Sequence, residues 1–235
     1  MRLQEKIETG VAVLIYGAGG IGKSTLASKC RDVVFIDIEN GLRQLPNVNK
    51  TPIVKTWPEF EEHLREFFKS EFKTVCIDSI DYLEAMLHKH ICDSNQWKSM
   101  EQAGYGKAYT MAQEAWCKFL GIVDHILGAN KNIIILAHET IRTFNAPDQD
   151  AYDKYTIKLH PKSVNLICAK MDAVLFAQIE TIVKTDRGDE ERLRAITTGK
   201  RILRTIEAPA YLAKNRFNLL PSEPLDEKIL EKMRL

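Results

Sequence analysis

Residues 17 to 24 read Gly17-Ala18-Gly19-Gly20-Ile21-Gly22-Lys23-Ser24, the G-x-x-x-x-G-K-S spacing of a phosphate-binding loop. Glycines there let the backbone wrap an anion with its N–H groups pointing inward, and the start of a following helix adds positive potential. Lys23 is placed to reach the β- and γ-phosphate oxygens of a nucleoside triphosphate, and the Ser24 hydroxyl, ahead of Thr25, is the expected Mg2+ ligand. A second element, Val75-Cys76-Ile77-Asp78-Ser79, is an apolar run ending in a carboxylate, the arrangement that holds Mg2+ or its water shell. ATP with Mg2+ is therefore the expected ligand set. Guanine recognition would call for Asn-Lys-x-Asp. The nearest match, Asn130-Lys131-Asn132-Ile133, lacks the acid, which disfavours a GTPase.

These groups need a scaffold. The apolar run Val11 to Tyr16 ends in Gly17 and suits a buried parallel strand feeding the loop, with a helix over Thr25 to Cys30 after it. Similar runs at Val33 to Ile38, Thr74 to Ile77 and Ile133 to Ala137 predict further strands. Between them, Phe60, Leu64, Phe67 and Phe68 recur at helical spacing, as do Ala112, Ala115, Trp116, Phe119, Leu120, Val123 and Leu127. Such alternation implies an α/β fold with a mainly parallel central sheet flanked by helices. Toward the C-terminus, Ala173 to Ile182, Arg192 to Thr198 and Arg201 to Ile206 read as antiparallel strands, the first two joined by the turn Asp186 to Asp189. A single domain over residues 1–235 is expected.

Composition agrees with a soluble chain: 235 residues, 45% hydrophobic, 28% charged. Its longest apolar stretches are strand-length, too short to cross a bilayer, and the first ten residues lack the apolar core of a signal peptide. Cys30, Cys76, Cys92, Cys117 and Cys168 are scattered without a Cys-x-x-Cys pair, which fits free thiols in a reducing cytoplasm. A net charge of +1 points to no nucleic-acid partner by itself, so any such site must be local.

The order of pieces resembles the RecA/DnaB-type ATPases, most closely the phage-encoded RecA-like ATPases of the Sak-type single-strand annealing group. The similarity runs from about Val11 to Pro221 and rests on Phe35 to Leu42, Ile77 to Ile80, Ile135 to Glu139 and Ala213 to Phe217 around the phosphate loop. It implies a RecA-like fold in which Glu39 polarises the attacking water, with Asp37 able to share that role. It places His138 as a γ-phosphate sensor, a departure from the amide-bearing residue of RecA. Lys214 and Arg216, spaced by one, become basic fingers delivered to a neighbouring subunit of a ring or filament.

The resemblance further implies two DNA-facing loops, Asp93 to Tyr109 and Arg142 to Ser163. The first carries Trp97, Lys98, Tyr105 and Lys107, with Gly104 and Gly106 as turn positions. The second carries Arg142, Phe144, Lys154, Tyr155 and Lys158, diluted by Asp148, Asp150 and Asp153. Aromatics interleaved with bases are what sequence-tolerant single-strand binding requires. The expected activity is DNA-dependent ATP hydrolysis promoting single-strand annealing or recombination, in the bacterial cytoplasm and of phage or prophage origin. A nucleotide or small-molecule kinase, and an ATP-gated single-strand-binding module with little hydrolysis, share the same loop. A single-strand-binding protein is a further expected partner.

Overall fold

A strand apolar at every position has to be covered on both faces, and β1 (Ala12–Gly17) is buried throughout. Val13 and Ile15 point into one core with Leu26, Phe35 and Leu136; Ala12, Leu14 and Tyr16 point into the other with Phe60, Trp116 and Phe119. The computed structural model that shows this describes residues 9–145, 150–186 and 192–235.

After β1 come α1 (Lys23–Ala27), β2 (Val33–Asp37), β3 (Asn49–Lys50) and α2 (Trp57–Lys69). Next are β4 (Thr74–Asp78), α3 (Ile80–Ser94), α4 (Lys107–Gly128) and β5 (Asn132–Phe144). The chain continues through β6 (Tyr152–Ile157), α5 (Pro161–Lys170), β7 (Ala173–Asp186) and β8 (Arg192–Arg204), then β9 (Lys214–Asn215), β10 (Ser222–Pro224) and α6 (Lys228–Lys232). The sheet order is β10-β8-β7-β1-β5-β4-β2-β3, with β6 on β5 and β9 on β7. From β7 to β3 the pairings are parallel, whereas β8, β10, β6 and β9 pair antiparallel. The expected α/β architecture is met: a mainly parallel core extended by antiparallel C-terminal strands.

Local chemistry sets the helix ends. At the start of α2, Thr56 accepts the Glu59 N–H at 3.4 Å while the Glu59 carboxylate accepts the Lys55 N–H at 2.9 Å, a reciprocal cap. Phe60, Leu64 and Phe67 of this helix are buried, but Phe68 is 46% exposed and lies outside the stripe. At its far end the Lys131 ammonium donates to the carbonyls of Phe67, Ser70 and Phe72 at 2.5 to 3.1 Å. Fully buried Trp116 anchors α4; truncating it to Ala is expected to cost about 3–5 kcal/mol.

Several expectations are corrected. The helix after the phosphate loop spans Lys23–Ala27, not Thr25 to Cys30. The strands expected at Arg192 to Thr198 and Arg201 to Ile206 are one strand, β8, paired with β7 through an irregularity at Ile179/Thr181. Arg142 to Ser163 is no open loop: β5 continues past the sheet and turns back as β6, with Arg142 opposite Lys154. Asp93 to Tyr109 is likewise ordered, holding the end of α3, a short 3-10 turn at Met100–Ala103 and the start of α4. Residues 1–8, 146–149 (with Asp148) and 187–191, which include most of the Asp186 to Asp189 turn, lie outside the described residues.

Candidate functional site

The phosphate loop leaves β1 at Gly17, where a side chain is impossible: an added Cβ would lie 2.2 Å from the Ala177 carbonyl oxygen on β7. Gly22 enters α1 with φ +109°, a backbone that L side chains rarely adopt. Between them the loop curls so that Lys23 folds back and donates to the Gly17 and Ala18 carbonyls, 2.9 Å each. Its ammonium is buried, and that burial lowers its pKa against the pull of Asp78 and Glu39. The Ser24 hydroxyl donates to Asp78 Oδ2 at 2.7 Å, so the ends of β1 and β4 meet at one point.

Asp78 sits among like charges. Burial pushes its carboxyl up to about 6; the Ser24 hydrogen bond opposes that, and the charges of Glu39 and Asp37 add to it. A buried carboxylate so disfavoured as an anion, with a hydroxyl 2.7 Å away, is a donor pair that gains from a cation. Hard oxygens in this number fit Mg2+, which takes one or two protein ligands and fills its sphere with phosphate oxygens and water. Ser24 and Asp78 would hold it.

A second group closes the cleft from the side. β5 lies between β1 and β4, which puts His138 beside Gly17. His138 Nδ1 lies 3.0 Å from Asp81 Oδ2 and its Nε2 3.7 Å from Glu39 Oε1. Asp81, in the first turn of α3, also accepts the His138 backbone N–H at 3.1 Å and the Ser79 hydroxyl at 2.9 Å. Burial would raise the Asp81 pKa, but the His138 and Ser79 contacts outweigh it and hold the carboxyl low. An ionised Asp81 can only accept, so Nδ1 carries the proton. The same contact raises His138 above its ordinary pKa, against burial. The Ser79 hydroxyl also lies 3.1 Å from Glu39 Oε2. Glu39, fixed by its N–H to the Asp78 carbonyl at 3.1 Å, thus faces the loop across a cleft of about 250 Å3 lined by Gly19, Gly20, Lys23, Ser24, Asp78 and His138.

Of the expected residues, then, Gly17 to Thr25, Glu39, Asp78 and His138 come together. Asp37 does not: it is fully buried, paired with Lys50 at 2.8 Å and accepting the Asn40 N–H at 2.8 Å, so no proton-transfer role remains for it. Lys214 and Arg216 sit toward the other end of β7, whose Ala173 and Val174 pair with β9 while Ala177 pairs with Gly17. They have different tasks. The Lys214 ammonium donates to the Cys168 and Ala169 carbonyls at the end of α5, 2.9 Å each, and Arg216 meets Asp172 at 3.3 Å.

The DNA candidates divide similarly. Tyr105 is fully exposed with φ +46°, between Gly104 and Gly106 that also have positive φ, and Lys98, Lys107 and Lys158 are exposed. Trp97 packs partly buried against the core. Lys154 is only 7% exposed and bound to Glu207 at 2.5 Å, and the Tyr155 ring stacks on Phe176 at 5.1 Å. These two are corrected from binding to structural positions. Arg142 donates to the Leu159 carbonyl, and Phe144 stacks on Tyr152 at 6.1 Å.

Sequence reasoning missed Ser79, Asp81 and Glu139. Ser79-Ile80-Asp81 directly follows the Asp78 strand, a polar pair at a helix start that reads as an ordinary cap. Glu139 was visible only as a neighbour of His138; its carboxyl is raised chiefly by burial, with Lys23 and the Ala18 N–H pulling the other way.

The chain is similar to several known proteins. The SPbeta prophage-derived uncharacterized protein YorG of Bacillus subtilis (strain 168) is 20% identical over 241 residues, covering 94% of this chain; the chain spans 66% of that relative's length. Among solved structures, the flagellar accessory protein FlaH of Methanocaldococcus jannaschii matches at 13% identity and TM-score 0.41, covering 86% of this chain and 87% of its own. A KaiC-like protein of Pyrococcus horikoshii OT3 matches at 13% and 0.41, covering 83% and 78%. Likenesses of that degree identify no activity. The AAA domain family, in contrast, matches residues 9–217, nearly all of the chain, and this protein belongs to that family of P-loop ATPase domains.

Proposed function

We propose that this chain hydrolyses ATP with Mg2+ in a homo-oligomer and couples that reaction to single-stranded DNA, promoting annealing or recombination for a phage or prophage. The convergence of Lys23, the Ser24–Asp78 pair and the Glu39–His138–Asp81 network on one cleft carries the reading. When ATP binds, the phosphates replace the Gly17 and Ala18 carbonyls as partners of Lys23. Bound Mg2+ supplies charge neutralisation at the phosphates. Glu39 accepts a proton from a water as that water's oxygen forms its bond to the γ-phosphorus and the bond to the β–γ bridging oxygen breaks. His138, whose protonation Asp81 favours, stabilises in its protonated form the charge that develops there.

Support for DNA is local. The exposed Gly104-Tyr105-Gly106 turn with Lys98 and Lys107 offers a free ring and cations, the combination that binds single strands without sequence preference. Beyond His138, β5 leads directly into the β5–β6 hairpin bearing Arg142 and Phe144, and Lys158 follows β6. Support for an oligomer is Arg216, whose side chain is 58% exposed beside Asp172, at the opposite end of the sheet from its own loop.

The test is steady-state ATP turnover with and without an oligonucleotide. Stimulation by single strands, and its loss in Tyr105→Ala with a binding deficit of about 1–3 kcal/mol, is expected. Turnover without stimulation, or unchanged DNA affinity in the variant, removes the DNA coupling but not the ATPase.

A further inference from the structure

We propose that the exposed Gly104-Tyr105-Gly106 turn is set by a proton switch beneath it: His88, once protonated, exchanges its contact with Tyr109 for one with Glu84. The inference rests on the DNA reading above for the role of the turn, and deepens it by naming what regulates the turn. The turn has two feet. Glu101 lies in the short 3-10 turn before it and Tyr109 in the first turn of α4 after it. The Tyr109 hydroxyl joins them by donating to Glu101 Oε1 at 2.7 Å. Tyr109 itself rests on two imidazoles. His160, just ahead of α5, stacks on its ring at 4.7 Å, and His88 of α3 meets it edge-on at 5.8 Å.

Below that seat lies an unfinished pair. Glu84 is buried, and its Oε2 accepts the His160 N–H at 2.7 Å. Its Oε1 is buried with no hydrogen-bond partner among the described residues, and so is His88 Nε2. Glu84 and His88 are four residues apart on α3, hence on one face of that helix. A neutral His88 leaves one ring nitrogen unmet while its edge supports Tyr109. An imidazolium donates from both nitrogens, and a charged donor left buried and unmet costs far more. Turning the ring to Glu84 Oε1 satisfies both open atoms, and Tyr109 then loses one of its two supports. The other titratable groups around His88 do not replace Glu84. His160 repels an imidazolium when it is itself charged, Glu101 is held by the Tyr109 hydroxyl, and Cys92, one turn along α3, is a buried thiol. Burial holds His88 below its ordinary 6.5; the Glu84 charge opposes this, His160 adds to it and Glu101 opposes it. The neutral arrangement is therefore at full strength above about pH 6.5 and is lost as pH falls below that value.

The experiment follows hydrogen exchange of the Glu101 to Tyr109 amides in the full chain, corrected for intrinsic exchange, at about pH 7.5 and about pH 5.5. Protection of these amides is expected to fall about fivefold or more in the wild type. In His88→Phe, which keeps a ring edge on Tyr109 but takes no proton, it should stay within about twofold. His88→Asn, which adds no volume, should likewise show no step. Glu84→Gln removes the charge that favours the imidazolium, so the fall should move to lower pH. Affinity for a fluorescent single-stranded oligonucleotide should follow protection in each chain. Protection that is independent of pH in the wild type overturns the switch, as does an equal fall in both His88 variants. A protection step that depends on His88, with no oligonucleotide bound at any pH, supports the switch and removes the DNA reading instead.

Discussion

The two ends of the parallel sheet both set lysine ammonium groups against backbone carbonyls, yet to opposite effect. At one end Lys131 caps α2 through the Phe67, Ser70 and Phe72 carbonyls, and Lys214 caps α5 through those of Cys168 and Ala169. Helix C-termini carry unsatisfied carbonyls and partial negative charge, so these amines complete the structure. At the other end Lys23 contacts just as many carbonyls as Lys214, those of Gly17 and Ala18, but they belong to a loop shaped to receive an anion. Carbonyl contacts alone therefore do not separate a structural lysine from a functional one. What separates them is the surroundings: Asp78, Glu39 and His138 across a cleft in one case, and helix ends in the other.

Replacing Lys23 by Ala should be the largest break in that comparison. Loss of the loop's side-chain cation is expected to reduce turnover by on the order of 100-fold or more, with near-normal folding, as read by ATPase assay and circular dichroism. Glu39→Gln comes next: nucleotide affinity stays and turnover falls by about 100-fold or more. Normal turnover there would pass the base role to Glu139. Lys131→Met keeps the stem and removes the amine, so its orphaned carbonyls should lower stability by about 1–3 kcal/mol in urea denaturation, with ADP affinity unchanged. Lys214→Met is expected to do the same; full stability with lost turnover would instead make Lys214 part of a neighbour's site.

The smallest effect sharpens the comparison through pH. Asp78 is raised from an ordinary 3.8 to about 6, so the folded chain holds this proton more tightly than the unfolded one. Ionising Asp78 then costs stability, a cost absent below its ordinary pKa and complete above about pH 6. Without nucleotide or Mg2+, Asp78→Asn should be more stable than wild type above that pH. The advantage should shrink as pH falls through 6 toward about 4. An advantage that does not vary with pH would show that Asp78 ionises freely.

The legible parts of the molecule were those where local pattern and tertiary role coincide. Val11 to Tyr16 is apolar on both faces because both faces are covered, and the glycines and Lys23 are fixed by the chemistry of one loop. The β5–β6 hairpin was not legible. Glu139 to Phe144 and Tyr152 to Ile157 project from the sheet, and their mixed polar and aromatic faces give no single buried side to read. Aromatics such as Tyr155 then look like binding residues until Phe176 is found against the ring. The Glu39–His138–Asp81 contacts were hidden for a different reason. They join three strand or helix ends distant in the chain, and only the insertion of β5 between β1 and β4 brings them together.

That same strand has a mechanical meaning. β5 runs unbroken from Asn132 to Phe144, clamped between β1 and β4 along its first half and carrying the hairpin on its second, with His138 where the two halves join. It contains no glycine or proline that would serve as a pivot. Arg142 and Phe144 of the hairpin are thus joined to His138 by one continuous strand, and through its imidazole to Glu39 and Asp81.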